Sequence, residues 1–228
     1  MNTSYSALMP LRQGENLEFL EESIHSILEQ TIPPQEIVLV MDMPMSGETR
    51  WMLMKLCAKR TKLLFVHAYE LADFGLEELI MRGIAHCSCS LIAMVGSSDI
   101  SAPSRCEEGL KIFSEFPQTA VVRSCIGKTG ENAADYLTMM FRKEAALEAK
   151  KEFWEVTLKV DRESGEGMKA KSQYLETTLV ENKSYGEAAC GEQGYCSLWK
   201  YMEERGYKFY DIPKPLVSFD KTRARAGV

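Results

Sequence analysis

The sequence predicts an α/β fold: a mostly parallel central sheet with helices on both faces, followed by a smaller β-containing extension at the C-terminal end. Short uncharged runs rich in branched residues, Ile37–Met41, Leu63–Val66 and Leu91–Val95, recur through the first half of the chain. Runs of this kind suit strands covered on both faces. Stretches with apolar residues at helical spacing separate them, and the alternation stops after about residue 124. Strand–helix–strand connections this short imply right-handed crossovers and parallel pairing.

Taken in order, Tyr5–Met9 is apolar enough for a first strand and is predicted to end at Pro10. Between Asn16 and Gln30 the apolar residues Phe19, Leu20, Ile24, Ile27 and Leu28 share one helical face, opposite Glu18, Glu21, Glu22 and Glu29, and Pro33–Pro34 stops that helix. Ile37–Met41 is the second strand, Gly47–Lys59 the second helix and Leu63–Val66 a third buried strand. Leu76, Leu79, Ile80 and Gly83 mark the next helix, and Leu91–Val95 the fourth strand. Pro103 and Ser104 open a helix whose inner face is Cys106, Gly109, Leu110 and Phe113, and Ala120–Val122 is a fifth strand. Beyond it, Thr138–Arg142 reads as a strand. Phe153–Val160 and Tyr174–Val180 read as the arms of a hairpin around the polar stretch Asp161–Ser172. Tyr195, Leu198, Trp199 and Met202 mark a helix ending at Gly206, and two short strands are expected around Ile212–Pro215. The predicted division is residues 1–124 as an α/β ligand-binding domain, 125–220 as a second region with the hairpin near 153–180, and 221–228 as a basic tail.

Composition bounds the function. The 228 residues are 45% hydrophobic and 26% charged, enough to bury a sizeable core, and the net charge of −6 argues against a globally basic nucleic-acid binder. No apolar run reaches the length needed to span a bilayer, and Met1–Ser4 has no secretory-signal character. The seven scattered cysteines read as structural thiols in a reducing compartment, so a cytoplasmic location is expected, with the membrane periphery as an extension of it. There is no phosphate-binding glycine loop, no nucleophile elbow and no paired-histidine zinc motif, and the three histidines suggest no site.

Open parallel sheets bind ligands at the carboxyl ends of their strands. That rule selects the loops Pro10–Glu15, Asp42–Gly47, Ala68–Gly75 and Gly96–Pro103. The last of these carries Asp99. A carboxylate there can hold Mg²⁺ or Mn²⁺ against a diphosphate; alternatively Asp99 and Ser101 cap the helix that follows.

In order along the chain, several blocks resemble the family 2-like glycosyltransferases of GT-A fold. They are YSALMPLRQGENLEFLEESIHSILEQT (Tyr5–Thr31), PPQEIVLVMD (Pro33–Asp42), DFGLEELIMRGI (Asp73–Ile84) and SDISAPSRCE (Ser98–Glu107). MMFRK (Met139–Lys143) and GYKFYDIPKPLV (Gly206–Val217) look similar in the C-terminal half. The resemblance implies transfer of a sugar from a nucleotide-sugar donor, most readily a UDP-sugar, to a glycan or glycoconjugate acceptor. It also implies that Pro10, Arg12 and Glu15 lie near the base, that Asp42 faces the nucleoside, that Asp73 and Arg82 border the donor, and that Ser98 and Asp99 occupy the metal and diphosphate position. Arg82, Arg105 and Arg142 are the available charge partners for the leaving diphosphate, although Arg82 also reads as a solvated helix charge.

The chain departs from the family pattern in three blocks. Where the family has D-x-D-D, this chain has Gly96–Ser97–Ser98–Asp99, leaving Asp99 as the metal-position acid and implying weakened or absent use of Mg²⁺ or Mn²⁺. Met41–Asp42–Met43–Pro44 keeps one Asp of the second block. At the acceptor side, Cys190–Trp199 matches the block that carries the family's catalytic base, with Glu192 the nearest acid. Two readings therefore stand side by side: an active transferase, and an inactive relative kept as a binding or scaffold protein. A homo-oligomer is compatible with both.

Overall fold

A computed structural model of the chain describes residues 4–12, 17–58, 61–68, 76–126, 138–152 and 197–218. The first half alternates as β1 (Ser6–Leu11), α1 (Leu17–Leu28), β2 (Glu36–Met41), α2 (Gly47–Cys57), β3 (Lys62–His67), α3 (Leu76–His86) and β4 (Leu91–Met94). It continues through β5 (Ile100–Ser101), α4 (Arg105–Glu115), β6 (Thr119–Ile126) and β7 (Met140–Arg142). The helical residues 143–152 form α5, and α6 (Ser197–Glu204) and β8 (Lys208–Ser218) complete the described elements. The predicted hairpin near 153–180 and the tail 221–228 lie outside the described residues.

One eight-stranded sheet runs in the order β3-β2-β1-β4-β7-β6-β8-β5. Its first half is parallel: β1 lies between β2 and β4, and β2 pairs with β3. The second half is mixed. β7 enters antiparallel between β4 and β6, so the run Ala120–Val122 does not extend the parallel sheet next to β4 but joins it through β7. Strand period 2 assigns the two faces. Leu8, Val38 and Val40 pack with Leu79, Ile80 and Ile84 of α3, whereas Ala7, Met9, Leu11, Ile37, Leu39 and Met41 pack with α1 and with Leu53 of α2. Around Phe141 the first face is closed by Trp199 of α6, ring centroids 4.7 Å apart.

Three sequence expectations change in detail. β1 runs through Pro10 to Leu11 rather than ending there. In a parallel strand, one residue's N–H and C=O address the same neighbour. The Leu8 carbonyl accepts from Val95 on the β4 side and the Leu11 carbonyl from Asp42 on the β2 side. The N–H that Pro10 lacks would therefore face the β4 side, past the last β1–β4 pair of Leu8 with Met94, while the pairing with β2 runs on to Leu11. β3 is a half-exposed edge strand rather than a buried one, because an apolar run does not reveal its place in the strand order. The two pieces expected around Ile212–Pro215 are one strand, β8, with its register against β6 shifting between Ser124 and Cys125 where Pro213 and Lys214 are extra. α6 ends as predicted at Gly206, which has φ +81° and closes the helix with Tyr207 N–H on the Met202 carbonyl and its own N–H on Glu203.

Two helix glycines meet the sheet differently. A Cβ on Gly83 would collide with Leu8 Cδ1 and lie 3.0 Å from Val40 Cγ1, both in the fully buried core. On Gly109 it would meet the flexible Met140 Sδ at 2.8 Å. Gly83→Ala is therefore expected to cost about 1–2 kcal/mol, overpacking outweighing the helix-propensity gain of ~1 kcal/mol, while Gly109→Ala is close to neutral. Urea denaturation of the two variants checks the difference, and equal midpoints would contradict it.

Candidate functional site

The carboxyl ends of three adjacent parallel strands present Arg12 after β1, Asp42 after β2 and the loop Val95–Asp99 after β4. Asp42 and this loop flank β1 about 10 Å apart, two interstrand spacings. Arg12 Nε contacts Asp42 Oδ2 at 3.3 Å, joining the half-exposed arginine to a nearly buried acid. Pro10 is buried within β1 at the same edge.

The loop after β4 is held from two sides. Gly96–Asp99 is a turn, with Asp99 N–H on the Gly96 carbonyl at 3.3 Å. From α1, Ser23 Oγ donates to that same Gly96 carbonyl at 2.7 Å. Ser26 Oγ accepts from Ser101 N–H, and Gln30 Nε2 donates to the Ala102 carbonyl at 2.7 Å. From the far edge, β8 pairs with Ile100 and Ser101. Ser97, Ser98 and Asp99 are buried in consequence, Asp99 to 2% exposure. Asp99 is engaged by its neighbours, while its Oδ2 accepts no hydrogen bond among the described residues.

Helix capping does not account for these residues. Ser104 occupies the N-cap of α4 and makes no side-chain cap bond. Gln30 Oε1, reaching across from the turn after α1, accepts from Cys106 N–H instead. Ser101 Oγ accepts from Arg105 Nη1 at 2.9 Å. Arg105 is buried and its Nη2 donates to the Met94 carbonyl at 2.6 Å, so it fastens the end of β4. Arg142 is similarly committed, to the carbonyls of Thr119, Phe113 and Pro117. Of the three arginines considered for the diphosphate, two are thus built into the framework. Arg82 is exposed on α3 beside Gly83. Glu15, Asp73 and Glu192 lie outside the described residues.

Sequence reasoning passed over Ser23, Ser26 and Gln30. Their signal was a polar row at helical spacing along α1 and into the turn after it, with Ser23 and Gln30 on buried positions. The donor set also bears on a metal. Among the described residues no group of three or more His, Cys, Asp or Glu side chains could hold an ion. One buried carboxylate beside serine hydroxyls suits a hard cation held chiefly by diphosphate oxygens and water, rather than one caged by protein acids.

Residues 6–167 match the profile described as Glycosyl transferase family 2. The chain belongs to that family. Among curated relatives, this family 2 chain is 28% identical over 131 residues to an uncharacterized glycosyltransferase of Haemophilus influenzae, covering 58% of this chain and 48% of that protein. It is 27% identical over 138 residues to the amylovoran biosynthesis glycosyltransferase AmsE of Erwinia amylovora, covering 58% and 49%. The chain therefore spans about half the length of these curated relatives. Solved structures share its fold at low identity. TarS of S. aureus in complex with UDP-GlcNAc aligns with a TM-score of 0.52 at 14% identity, covering 64% of this chain and 47% of that one. The mannosyltransferase PcManGT of Pyrobaculum calidifontis, in complex with GDP-Man and Mn²⁺, aligns with a TM-score of 0.51 at 13% identity, covering 63% and 46%. These alignments support a GT-A fold for the family 2 chain.

Proposed function

We propose that this chain carries the donor-binding part of a glycosyltransferase that moves a sugar from a nucleotide-sugar, a UDP-sugar in the first instance, to a glycan or glycoconjugate acceptor. The carrying observation is the Arg12–Asp42 pair set beside the buried Asp99 turn at the carboxyl edge of β2, β1 and β4. UDP-GlcNAc bound to TarS and GDP-Man bound to PcManGT supply the chemical class of the donor.

In this reading Pro10, Arg12 and Glu15 border the base, Asp42 meets the nucleoside, and Asp73 and Arg82 flank the donor. Ser98 and Asp99 address the diphosphate. Residues 1–124 form the donor side and 125–220 the acceptor side, where Glu192 takes the proton of the attacking hydroxyl. A divalent cation, when bound, would neutralise charge on the departing nucleoside diphosphate, with Asp99 as its protein ligand. Cys57, Cys87, Cys89 and Cys106 are buried free thiols, and burial pushes Cys57 up to about 11 and Cys87 up to about 12, which suits a reducing, cytoplasmic compartment. No helix among the described residues is long and apolar enough to cross a membrane; attachment at the membrane periphery is part of the proposal.

The single acid in Gly96–Asp99 favours a second reading, a catalytically inactive family member kept as a scaffold that no longer holds a nucleotide-sugar. Calorimetric titration with UDP, GDP and a panel of nucleotide-sugars, each with and without Mn²⁺, separates the two. Micromolar binding of one donor supports transfer and names the donor. A folded sample that binds none of them supports the scaffold.

A further inference from the structure

We infer that the outer face of α2 is a docking surface for an anionic lipid membrane. Trp51 and Met54 stand three residues apart on α2 and are 65% and 53% exposed. In the same helix Leu53 and Cys57 enter the core beneath α1, so α2 is fixed in place and Trp51 and Met54 are left facing outward. The charge of this segment is one-sided along the sequence. In sequence the segment from Glu48 to Lys62 has Arg50, Lys55, Lys59, Arg60 and Lys62 against the single acid Glu48, a net charge of +4 in a protein whose total is −6, and of these Arg50 and Lys55 are exposed on α2 itself.

The side chains are arranged as an interfacial patch. Lys55 Nζ lies 5.1 Å from the centre of the Trp51 ring. Arg50 lies over Phe65 of β3 at 4.5 Å and reaches His67 Nε2 at 3.5 Å, closing the other side. An exposed indole and thioether on a helix that also exposes Arg50 and Lys55 match the chemistry of a lipid headgroup layer: the apolar groups enter the acyl boundary while the cations meet lipid phosphates. Basic residues close to an anionic leaflet each add attraction that decays within a Debye length. Nucleic acid would use the same charge but gives Met54 no role, and a two-fold dimer through this face would set like charges against each other. The first turn of α2 follows the Asp42 loop, so a membrane held here lies beside the candidate donor edge. Docking does not depend on sugar transfer, and its test reads binding alone.

Flotation of the full chain with phosphatidylcholine vesicles, and with vesicles that also contain phosphatidylglycerol, tests this at low and high salt. Binding is expected only with phosphatidylglycerol and at low salt. Trp51→Ala with Met54→Ala, and separately Arg50→Gln with Lys55→Glu, should each reduce the bound fraction about tenfold. All four side chains are surface-exposed, and circular dichroism verifies the fold of both variants. No binding to phosphatidylglycerol vesicles, or binding that both double variants leave unchanged, overturns the proposal. So does equal binding to pure phosphatidylcholine. A dimer or an RNA complex abolished by the same variants, in protein that does not float with vesicles, would assign the patch to that partner and likewise overturn it.

Discussion

Asp99→Asn is expected to lower sugar-transfer turnover at least about tenfold, ~1.4 kcal/mol of transition-state stabilisation, while leaving the fold intact. Asn keeps the shape of the buried side chain and removes its charge. The turn backbone is held independently, by Ser23 on Gly96 and by the pairing of β5 with β8. Asp99 is the carboxylate remaining in Gly96–Asp99, so the charge has no substitute within the turn. The same variant should weaken donor binding more in the presence of Mn²⁺ than in its absence, because a cation held mainly by the diphosphate retains Asp99 as its protein ligand. Steady-state rates and calorimetry with the donor that the nucleotide-sugar titration selects provide the measurement. An unchanged rate with unchanged Mn²⁺ response would remove Asp99 from the site.

How much of this was legible in the sequence differs between the two halves of the sheet. Strands whose residues are apolar on both faces, such as Ile37–Met41 and Leu91–Met94, were readable because burial on two sides demands it. Strand order was readable only locally. Nothing in Met140–Arg142 distinguishes a short antiparallel strand between β4 and β6 from one at an edge, since that depends on pairing across distant segments. The loops of the candidate site followed from one rule about parallel sheets. Their support did not: Arg105 looks like a surface cation on an amphipathic helix, and only the end of β4 beside it makes its burial favourable. Capping of α4 by Gln30 from the turn after α1 was equally invisible, because capping patterns in sequence are local and this one spans 76 residues.

The opposite end of the sheet contains a second acid that sequence reading did not single out, and Glu36→Ala there is expected to cost about 3 kcal/mol. Glu36 opens β2 and is buried. Its Oε1 accepts from Ser6 Oγ at 2.7 Å and from Ser88 N–H, and Ser6 Oγ in turn accepts from Cys89 N–H. The carboxylate thereby ties the starts of β1 and β2 to the residues leading into β4. Two hydrogen bonds to a charged acceptor contribute about 1.5 kcal/mol or more each, and Ser6 would be left buried with one partner fewer. Exposed Lys62, 3.9 Å from Oε2, adds little through solvent. Burial alone would raise the Glu36 carboxyl, but the hydrogen bonds from Ser88 and Ser6 outweigh it and hold the group below its ordinary range. A carboxyl lowered in the folded state stabilises the protein above its unfolded value of roughly 4.3, and that contribution is lost as pH falls through the lower folded value. Glu36→Gln, which keeps one acceptor oxygen without charge, should therefore be less stable than the parent at neutral pH and converge on it in acid. Urea denaturation of the three proteins from neutral pH downward gives the result directly. A gap between parent and Gln variant that stays constant into acid would mean that shape, rather than charge, holds this end of the sheet together.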